Sequence, residues 1–361
     1  MTTAMLIFAG ALILAIGGTP IARRLAPHLG LIDQPATRKV HQRPMPRMGG
    51  AAIVLASIAA LIFFQDRFEF RQLIGILFGG AFVSLLGTWD DRWGMRPLVK
   101  LVGQFFAAAI LITAGVSVQL FSESWFNIGL TALWVVCITN AFNLLDNMDG
   151  LSSGVGLIAA AFFTLLGALS DQYYVSALAA AVLGASLGFL LYNFNPASIF
   201  MGDSGSLFLG FVLSAVAIKL RFPANYAIVT WMVPVLVLGL PLFDTALVVV
   251  SRLRRGLNPL TTPGKDHTSH RLVAAGFTTR EAVMIHYLAA GAFGLLSIFV
   301  TQASVFEGYV VGAGAALISL FALLRLEDRF RRTNPPPPSA RPSPLEAEGA
   351  PSLSSSGRGT R

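Results

Sequence analysis

The chain has 361 residues, of which 55% are hydrophobic and only 12% are charged, and its mean hydropathy is +0.69. Soluble domains carry about 25% charged residues, so this composition excludes an ordinary soluble protein and indicates lipid as the solvent. The single cysteine, Cys137, excludes an internal disulfide and a cysteine-based metal site. The net charge of +8 is distributed over loops in the pattern of a membrane protein, so we expect no nucleic-acid partner.

Apolar segments of about 20 residues can cross a bilayer as helices. The first of them, 4–22, is expected to remain as a helix rather than to be a signal peptide, because no Lys or Arg precedes it. The pattern as a whole predicts an all-α integral membrane protein with about eleven transmembrane helices. In chain order the segments are 4–22, 49–64, 72–89, 98–116, 128–142, 151–169, 173–192, 205–220, 226–250, 281–301 and 307–324.

The basic residues predict the direction of insertion, because cytoplasmic loops carry an excess of Lys and Arg. Most of the 26 lysines and arginines lie in or beside the loops after odd-numbered helices, or in the C-terminal tail. The exceptions are Arg67, Arg71, Lys219 and Arg221. We therefore predict a multi-pass protein of the inner (plasma) membrane, with its N-terminus outside, its C-terminus in the cytoplasm and its active site on the cytoplasmic face.

Two regions differ in composition. Residues 1–332 are predicted to form one polytopic membrane domain. Residues 333–361 are rich in Pro and Ser and nearly lack large apolar side chains, so they are predicted to be a disordered cytoplasmic tail. The sequence shows neither an internal repeat nor a phosphate-binding P-loop motif, which disfavours a transporter or a nucleotide-driven pump.

Adjacent carboxylates, Asp90 and Asp91, lie at the inner end of the third predicted helix. Two such groups repel each other unless a cation or a proton lies beside them. We interpret them as catalytic residues at a Mg²⁺ or substrate site, with one available as a base. A solvated acid pair balanced by Arg92 and Arg96 is the alternative.

A strip of polar residues at three-residue intervals closes the fifth predicted helix: Asn140, Asn143, Asp146 and Asp149. Residues three apart on a helix are near neighbours. Amide and carboxylate oxygens are suited to a hard cation and a polar ligand. Ordinary helix capping is the alternative.

Asp203 lies in a Gly-Asp-Ser-Gly turn that opens the eighth predicted helix. Gly202 and Gly205 allow backbone N–H groups to approach an anion, and a helix N-terminus favours phosphate. The turn therefore predicts a Mg²⁺ ion bridging Asp203 to a phosphate. The alternative is that Asp203 or Ser204 simply caps the helix.

Basic and histidine-bearing loops follow the first and ninth predicted helices, and we interpret both as phosphate-binding. The positive-inside pattern alone is the alternative explanation. A zinc site is disfavoured, because His-x-x-His without nearby Cys is a weak ligand set. The candidate residues are Arg38, Lys39, His41 and Arg47 in the first loop, and Asp266, His267, His270 and Arg271 in the other.

Two polar residues lie inside predicted helices. Asp244 is about 12 Å deep, counted at 1.5 Å per residue from Arg252, and an intramembrane acid is a functional candidate by default. Pro241 just before it is expected to kink the helix. His286 has no evident partner in the sequence, and we favour a structural role.

Taken together and in order, these segments resemble the polyprenyl-phosphate N-acetylhexosamine-1-phosphate transferase superfamily (glycosyltransferase family 4). The resemblance covers roughly residues 30–277 and is greatest to undecaprenyl-phosphate N-acetylglucosamine 1-phosphate transferases. The segments are DQPATRKVHQRPMPRMGG, the WDD pair, NAFNLLDNMDGL, FNPASIFMGDSGSL and PLFD…SRLRRGLNPL…DHTSHRLVAAGF.

The resemblance implies transfer of an N-acetylhexosamine 1-phosphate, with N-acetylglucosamine leading, from a UDP-sugar to undecaprenyl or another polyprenyl phosphate. UMP would be released, in the first membrane step of cell-envelope glycan synthesis, with Mg²⁺ as cofactor and Mn²⁺ as the alternative. By the same resemblance Asp203 and Asn143 match the metal site, and Asp90 or Asp91 matches the base. The implied substrate-binding residues are Arg38, Lys39, His41, Arg47, Asp146, Asp149, His267, His270 and Arg271.

Two residues depart from the family's pattern: Asn147 stands where Gly is common, and Ser269 replaces a middle His. Both leave the sugar open. A phospho-N-acetylmuramoyl-pentapeptide transferase-like enzyme, which usually has adjacent histidines, and a polytopic transporter are the alternatives. We hypothesise direct attack of the lipid phosphate on the β-phosphorus, with a covalent aspartyl-phosphate as the alternative, and the sequence leaves a homodimer open.

Overall fold

The computed structural model describes residues 2–34, 44–63, 70–223, 225–262 and 264–333, and within them the chain is mostly helical. Two short strands, β1 (Ile32–Asp33) and β2 (Met45–Pro46), pair antiparallel. The helices are α1 (Thr2–Leu25), α2 (Gly49–Phe63), α3 (Phe70–Trp93), α4 (Pro97–Thr113), α5 (Ser124–Leu145), α6 (Leu151–Leu169), α7 (Tyr173–Asn193), α8 (Asp203–Lys219), α9 (Ala227–Thr230), α10 (Met232–Val237), α11 (Gly239–Arg254), α12 (Thr268–Ala274), α13 (Thr279–Gln302) and α14 (Val305–Thr333).

Several helices are long and apolar enough to cross a membrane. Among the described residues seven meet this test, namely α1, α3, α5, α6, α7, α13 and α14. An eighth span results if α9 and α10 are counted together with α11, while α2 and α4 are shorter apolar helices. The prediction of an all-α membrane protein is therefore confirmed, whereas the count of eleven and the direction of insertion stay predictions.

The ninth predicted segment, 226–250, is divided into three helices rather than forming one. The axis bends by 73° between the α9–α10 stretch and α11. Pro234 and Pro241 explain the division, because a proline lacks an N–H and its ring clashes with the carbonyl four residues earlier. Those carbonyls belong to Thr230 and Val237, the last residues of α9 and α10.

Helix α8 lies at the centre of the packing, and every residue from Ser204 to Ile218 is buried. Helices α2, α3 and α5 pack around it. A Cβ atom at Gly87 of α3 would overlap the Asp203 carbonyl, and one at Gly50 of α2 would overlap the backbone of Gly205. These glycines therefore let α2 and α3 approach the N-terminus of α8 closely, where the candidate site lies.

Candidate active site

The N-terminus of α8 carries Asp203, one of the acids predicted to lie in the site. Asp203, its first residue, is partly buried and pairs with two cations. The Asp203 carboxylate contacts Arg47, with Oδ1 3.3 Å from a guanidinium nitrogen, and its Oδ2 pairs with Lys100 Nζ. Two cations on one carboxylate favour its ionised form.

Arg47 reaches this position because the strand pair is tied to the segment before α8. The backbone N–H of Phe200 donates to the carbonyl of Pro46 at 2.8 Å, and that of Gly49 donates to the carbonyl of Phe200 at 2.9 Å. The pKa of Arg47 is raised: burial opposes the charged form, but Asp91 and Asp203 outweigh it. Arg47 therefore stays cationic.

Asp91 is the more enclosed of the adjacent acids, with 1% of its side chain exposed. It accepts backbone hydrogen bonds from Asp203 N at 3.1 Å and Ser204 N at 3.3 Å, and its Oδ1 lies 3.0 Å from Arg47 Nε. A carboxylate at a helix N-terminus satisfies free N–H groups and complements the helix dipole. Asp91 thus holds α3, α8 and Arg47 together.

Asp90 is more open, with 17% of its side chain exposed, and its Oδ2 lies 3.0 Å from Lys100 Nζ. Its carboxyl group also neighbours that of Asp203. The two adjacent acids therefore differ in environment: both oxygens of Asp91 are engaged with Arg47 and the α8 backbone, whereas Asp90 is partly exposed and contacts Lys100 and Asp203.

Lys100 was not singled out as a site residue by the sequence. It is the fourth residue of α4, and its ammonium contacts one oxygen each from three helices. It pairs with Asp90 and Asp203 and donates to Asn143 Oδ1 at 2.9 Å. The feature that could have revealed it is a charge just inside an apolar helix, because such charges are costly and usually functional.

The polar strip at the end of α5 is divided by the structure. Asn143 joins the cluster, since it accepts from Lys100 and donates to Ser206 Oγ at 3.0 Å. Asn140 instead exchanges side-chain hydrogen bonds with Gln104 of α4. Asp149 accepts from Asn195 Nδ2 and from the backbone N–H of Ala197, both at 3.0 Å.

Asp146 follows the last residue of α5 and lines the groove described next. Burial raises the pKa of Asp146 to about 7; Arg47 opposes this shift, while Asp203 and Asp91 add to it. The carboxyl group is therefore poised to change protonation near neutral pH, as site residues often are.

A groove of about 910 Å³ runs beside the cluster, within the size range of ligand sites. Its walls combine the loop after α5 with the segment before α12. Among the lining residues are Arg47, Asp146, Asn147, Asp149, Lys265 and His270.

The residues at the start of α12 and just before it point in different directions. His270 lines the groove, and its pKa is lowered by burial and by nearby His267 and Lys265. His267 instead points its Nδ1 at Asp244, at 2.8 Å. Asp266 is held between Arg252 and Arg255.

Arg271, predicted to bind substrate, is engaged elsewhere. Its guanidinium donates to the Asp266 carbonyl and to the Leu326 carbonyl, both at 2.8 Å, and pairs with Glu327 at 3.0 Å. It therefore fastens α12 to the end of α14. The structure does not bring it to the groove, while Arg38, Lys39 and His41 lie outside the described residues.

The oxygen atoms around the Lys100 ammonium are the candidate metal ligands of the site. Within the described ranges, no three His, Cys, Asp or Glu side chains are grouped as metal ligands. However, carboxylate oxygens of Asp90 and Asp203 and the amide oxygen of Asn143 converge on one ammonium. Oxygen donors converging on one positive charge are what Mg²⁺ takes, so the donor chemistry fits once the ammonium moves aside.

The chain is similar to known proteins of one family. The profile of the family described as "Glycosyl transferase family 4" matches residues 73–221, which include Asp90, Asp91, Lys100, Asn143 and Asp203. A probable undecaprenyl-phosphate N-acetylglucosaminyl 1-phosphate transferase of Bacillus subtilis (strain 168) is 35% identical, over 80% of this chain and 82% of the relative.

Two further relatives carry similar names. A decaprenyl-phosphate N-acetylglucosaminephosphotransferase of Mycobacterium tuberculosis (strain ATCC 25618 / H37Rv) is 35% identical, over 89% of each chain. An undecaprenyl-phosphate alpha-N-acetylglucosaminyl 1-phosphate transferase of Escherichia coli (strain K12) is 27% identical, over 74% of this chain and 76% of the relative. The similarity thus extends over most of the chain.

Proposed function

The chain belongs to glycosyl transferase family 4, and from that premise we propose that it transfers N-acetylglucosamine 1-phosphate to a polyprenyl phosphate. The names of the relatives support both the transferred group and the lipid acceptor. The donor in this proposal is UDP-N-acetylglucosamine, and the second product is UMP. The observation that carries the proposal is the cluster of Arg47, Lys100 and three carboxylates beside a polar groove that Arg47 also lines, in a membrane protein.

The proposed reaction is one direct phosphoryl transfer. An oxygen of the lipid phosphate forms a bond to the β-phosphorus, which carries the sugar. The bond from that phosphorus to the bridging oxygen breaks, and the bridging oxygen leaves on UMP. Such a reaction needs positioning and neutralisation of charge more than covalent help from the protein. Arg47 and Lys100 supply two fixed positive charges for it.

We assign the role of base to Asp90 rather than Asp91. A base must reach the proton that it takes, and Asp90 keeps an exposed side next to Lys100. Asp91 has both oxygens engaged with Arg47 and the α8 backbone. In the proposed mechanism Asp90 removes a proton from the lipid phosphate, and Asp91 maintains the geometry around it.

The proposed cofactor is Mg²⁺, held by Asp203 and Asn143 with Asp90 adjacent, and Mn²⁺ would serve the same ligands. A divalent cation bound there would draw negative charge from the diphosphate of the donor. Asp146, Asp149 and His270 would contact the donor from the groove walls. We also propose that the protein lies in the inner membrane with its N-terminus outside and its active site on the cytoplasmic face. Residues 1–332 would form a single membrane domain, followed by a tail.

The test is UMP release and lipid-product formation by the purified full-length protein in detergent, with Mg²⁺, undecaprenyl phosphate and a panel of UDP-sugars. We expect lipid-dependent UMP release with UDP-N-acetylglucosamine preferred. Asp90→Asn should lower it about 10²- to 10⁴-fold. The matched control Asp328→Asn, which removes an exposed acid paired with its helix neighbour Arg332, should leave it unchanged. Folded protein without lipid-dependent release from any donor would refute the proposal.

Direct transfer and a covalent intermediate are separated by a second measurement. The protein is incubated with a donor carrying a radiolabelled sugar, without the lipid acceptor, and is then denatured. Direct transfer predicts that no label stays on the chain. Label that remains bound after denaturation would require a covalent intermediate.

A further inference from the structure

A buried polar cluster lies behind the groove, where α11, α12 and α13 meet. Asp244 of α11 is 1% exposed and His286 of α13 is 2% exposed. His267 and Thr268 reach them from the start of α12. Buried polar and ionisable groups are costly unless they are hydrogen-bonded, so the partners of each atom define what the cluster can do.

The carboxylate of Asp244 receives hydrogen bonds from the start of α12. Its Oδ1 accepts from the backbone N–H of Thr268 at 2.8 Å and from the Thr268 hydroxyl at 2.6 Å. Its Oδ2 lies 2.8 Å from His267 Nδ1. An ionised carboxylate can only accept, so His267 must carry a hydrogen on Nδ1.

His286 completes the cluster from the other side. Its Nδ1 lies 2.6 Å from the Ala282 carbonyl, which can only accept, so Nδ1 carries a hydrogen. Its Nε2 lies 2.6 Å from the Thr268 hydroxyl. The Thr268 hydroxyl therefore lies between the Asp244 carboxylate and the His286 ring, within hydrogen-bond distance of both. It bridges α11 and α13 through the first residue of α12.

His267 is 5% exposed and is not among the described residues that line the groove, but it contacts one that does. Its ring packs edge to face with that of His270, with centroids 6.1 Å apart, and His270 lines the groove. A hydrogen bond to one ring nitrogen fixes both the tautomer and the orientation of an imidazole. With Nδ1 held by Asp244, the Nε2 atom of His267 is the nitrogen left to act on a ligand.

We propose that Asp244, Thr268 and His286 are positioning residues that hold His267 with its hydrogen on Nδ1 and its Nε2 available to the diphosphate of the donor. This inference rests on the proposed transferase function, in which the histidine loop meets the donor. It gives a role to two intramembrane residues for which the sequence alone supplies no partner.

The first test determines the tautomer of His267 in the wild-type protein. The chain contains five histidines, so ¹⁵N-histidine labelling of the full-length protein gives a tractable spectrum, assigned by single His→Gln replacements. The ¹⁵N shift separates a protonated from a bare ring nitrogen. We expect a hydrogen on His267 Nδ1, and a bare Nδ1 would overturn the proposal. The spectrum can be recorded whether or not the protein transfers a sugar. It therefore tests the positioning of His267 independently of the proposed transferase function.

The second test inverts the tautomer. Asp244→Asn keeps the shape and an oxygen for Thr268, but places an amide donor against His267 Nδ1, which drives the ring hydrogen to Nε2. We expect kcat to fall on the order of 10²-fold, as for loss of one positioned proton-handling group, with KM for the lipid acceptor unchanged. A folded Asp244→Asn protein with wild-type kcat would overturn the proposal.

Thr268 supplies a matched pair of variants in case Asp244→Asn does not fold. Thr268→Ser retains the hydroxyl that bridges Asp244 and His286, whereas Thr268→Val retains the shape and removes the hydroxyl. We expect near wild-type kcat for Thr268→Ser and a clear loss for Thr268→Val. Equal kcat values for the two variants would count against the role of the bridge and overturn its assignment.

Discussion

Replacing Asp90 and Asp91 separately by Asn should distinguish the proposed catalytic role of Asp90 from the structural role of Asp91. Asp91→Asn keeps one acceptor oxygen, so the contacts to Arg47, Asp203 N and Ser204 N cannot all be retained. A hydrogen bond to a charged group contributes about 1.5–3 kcal/mol, and a carboxylate at a helix N-terminus about 0.3–1 kcal/mol. We therefore expect Asp91→Asn to lower the free energy of unfolding by about 2–4 kcal/mol.

Asp90→Asn should give the opposite profile. Lys100 keeps Asp203 and Asn143 as partners, so stability should change by about 1 kcal/mol or less. Turnover should fall about 10²- to 10⁴-fold, because the proposed base is lost. The assay pairs UMP release with thermal unfolding of each purified variant. An Asp90→Asn protein with wild-type turnover, beside a stable Asp91→Asn protein without turnover, would refute the assignment.

Three further predictions follow from the groove and the charge cluster. The pKa of Asp146 is raised to about 7 in the folded protein, so proton binding to this carboxyl favours the folded state at low pH, and this contribution is lost as pH rises. The wild type should therefore lose thermal stability relative to Asp146→Asn between about pH 4 and pH 7, with no further change above pH 7. Ser269 donates to Asn147 Oδ1 at 2.6 Å, so the effects of Ser269→Ala and Asn147→Ala on turnover should be non-additive in a double-mutant cycle, and full additivity would exclude coupling. A chelator should reduce UMP release to background, with recovery on addition of Mg²⁺ or Mn²⁺, and persistent turnover would exclude the metal.

The sequence predicts the helical membrane fold because most of the long helices are mainly apolar segments bounded by polar loops. The sequence pattern does not reveal a helix end that lies inside an apolar segment. The part of segment 226–250 before Asp244 is almost entirely apolar, and only the position of Pro234, four residues after Thr230, indicates that α9 must end there. The prediction of a kink at Pro241 is in accord with the division between α10 and α11.

The sequence predicts which residue types gather at the site better than it predicts their individual tasks. Asp203 and Asn143 were both expected at one site, and they share Lys100 as a partner. Arg271 could not be assigned, because its direction depends on Glu327, which is distant in sequence and buried beneath α12. The pairing of Asn147 with Ser269 likewise links two residues that the sequence offers only as separate departures from a family pattern.

The charge balance of the cluster gives a physical reason to expect an added cation. Asp90, Asp91 and Asp203 carry up to three negative charges, whereas Arg47 and Lys100 carry two positive ones. Both proposed substrates are anionic, so the fixed charges alone offer them no net attraction when all three acids are ionised. One divalent cation would reverse the sign of the cluster, and it would do so at the oxygens that already converge on the Lys100 ammonium. The arrangement therefore favours a reaction in which metal, diphosphate and lipid phosphate assemble together at the N-terminus of α8.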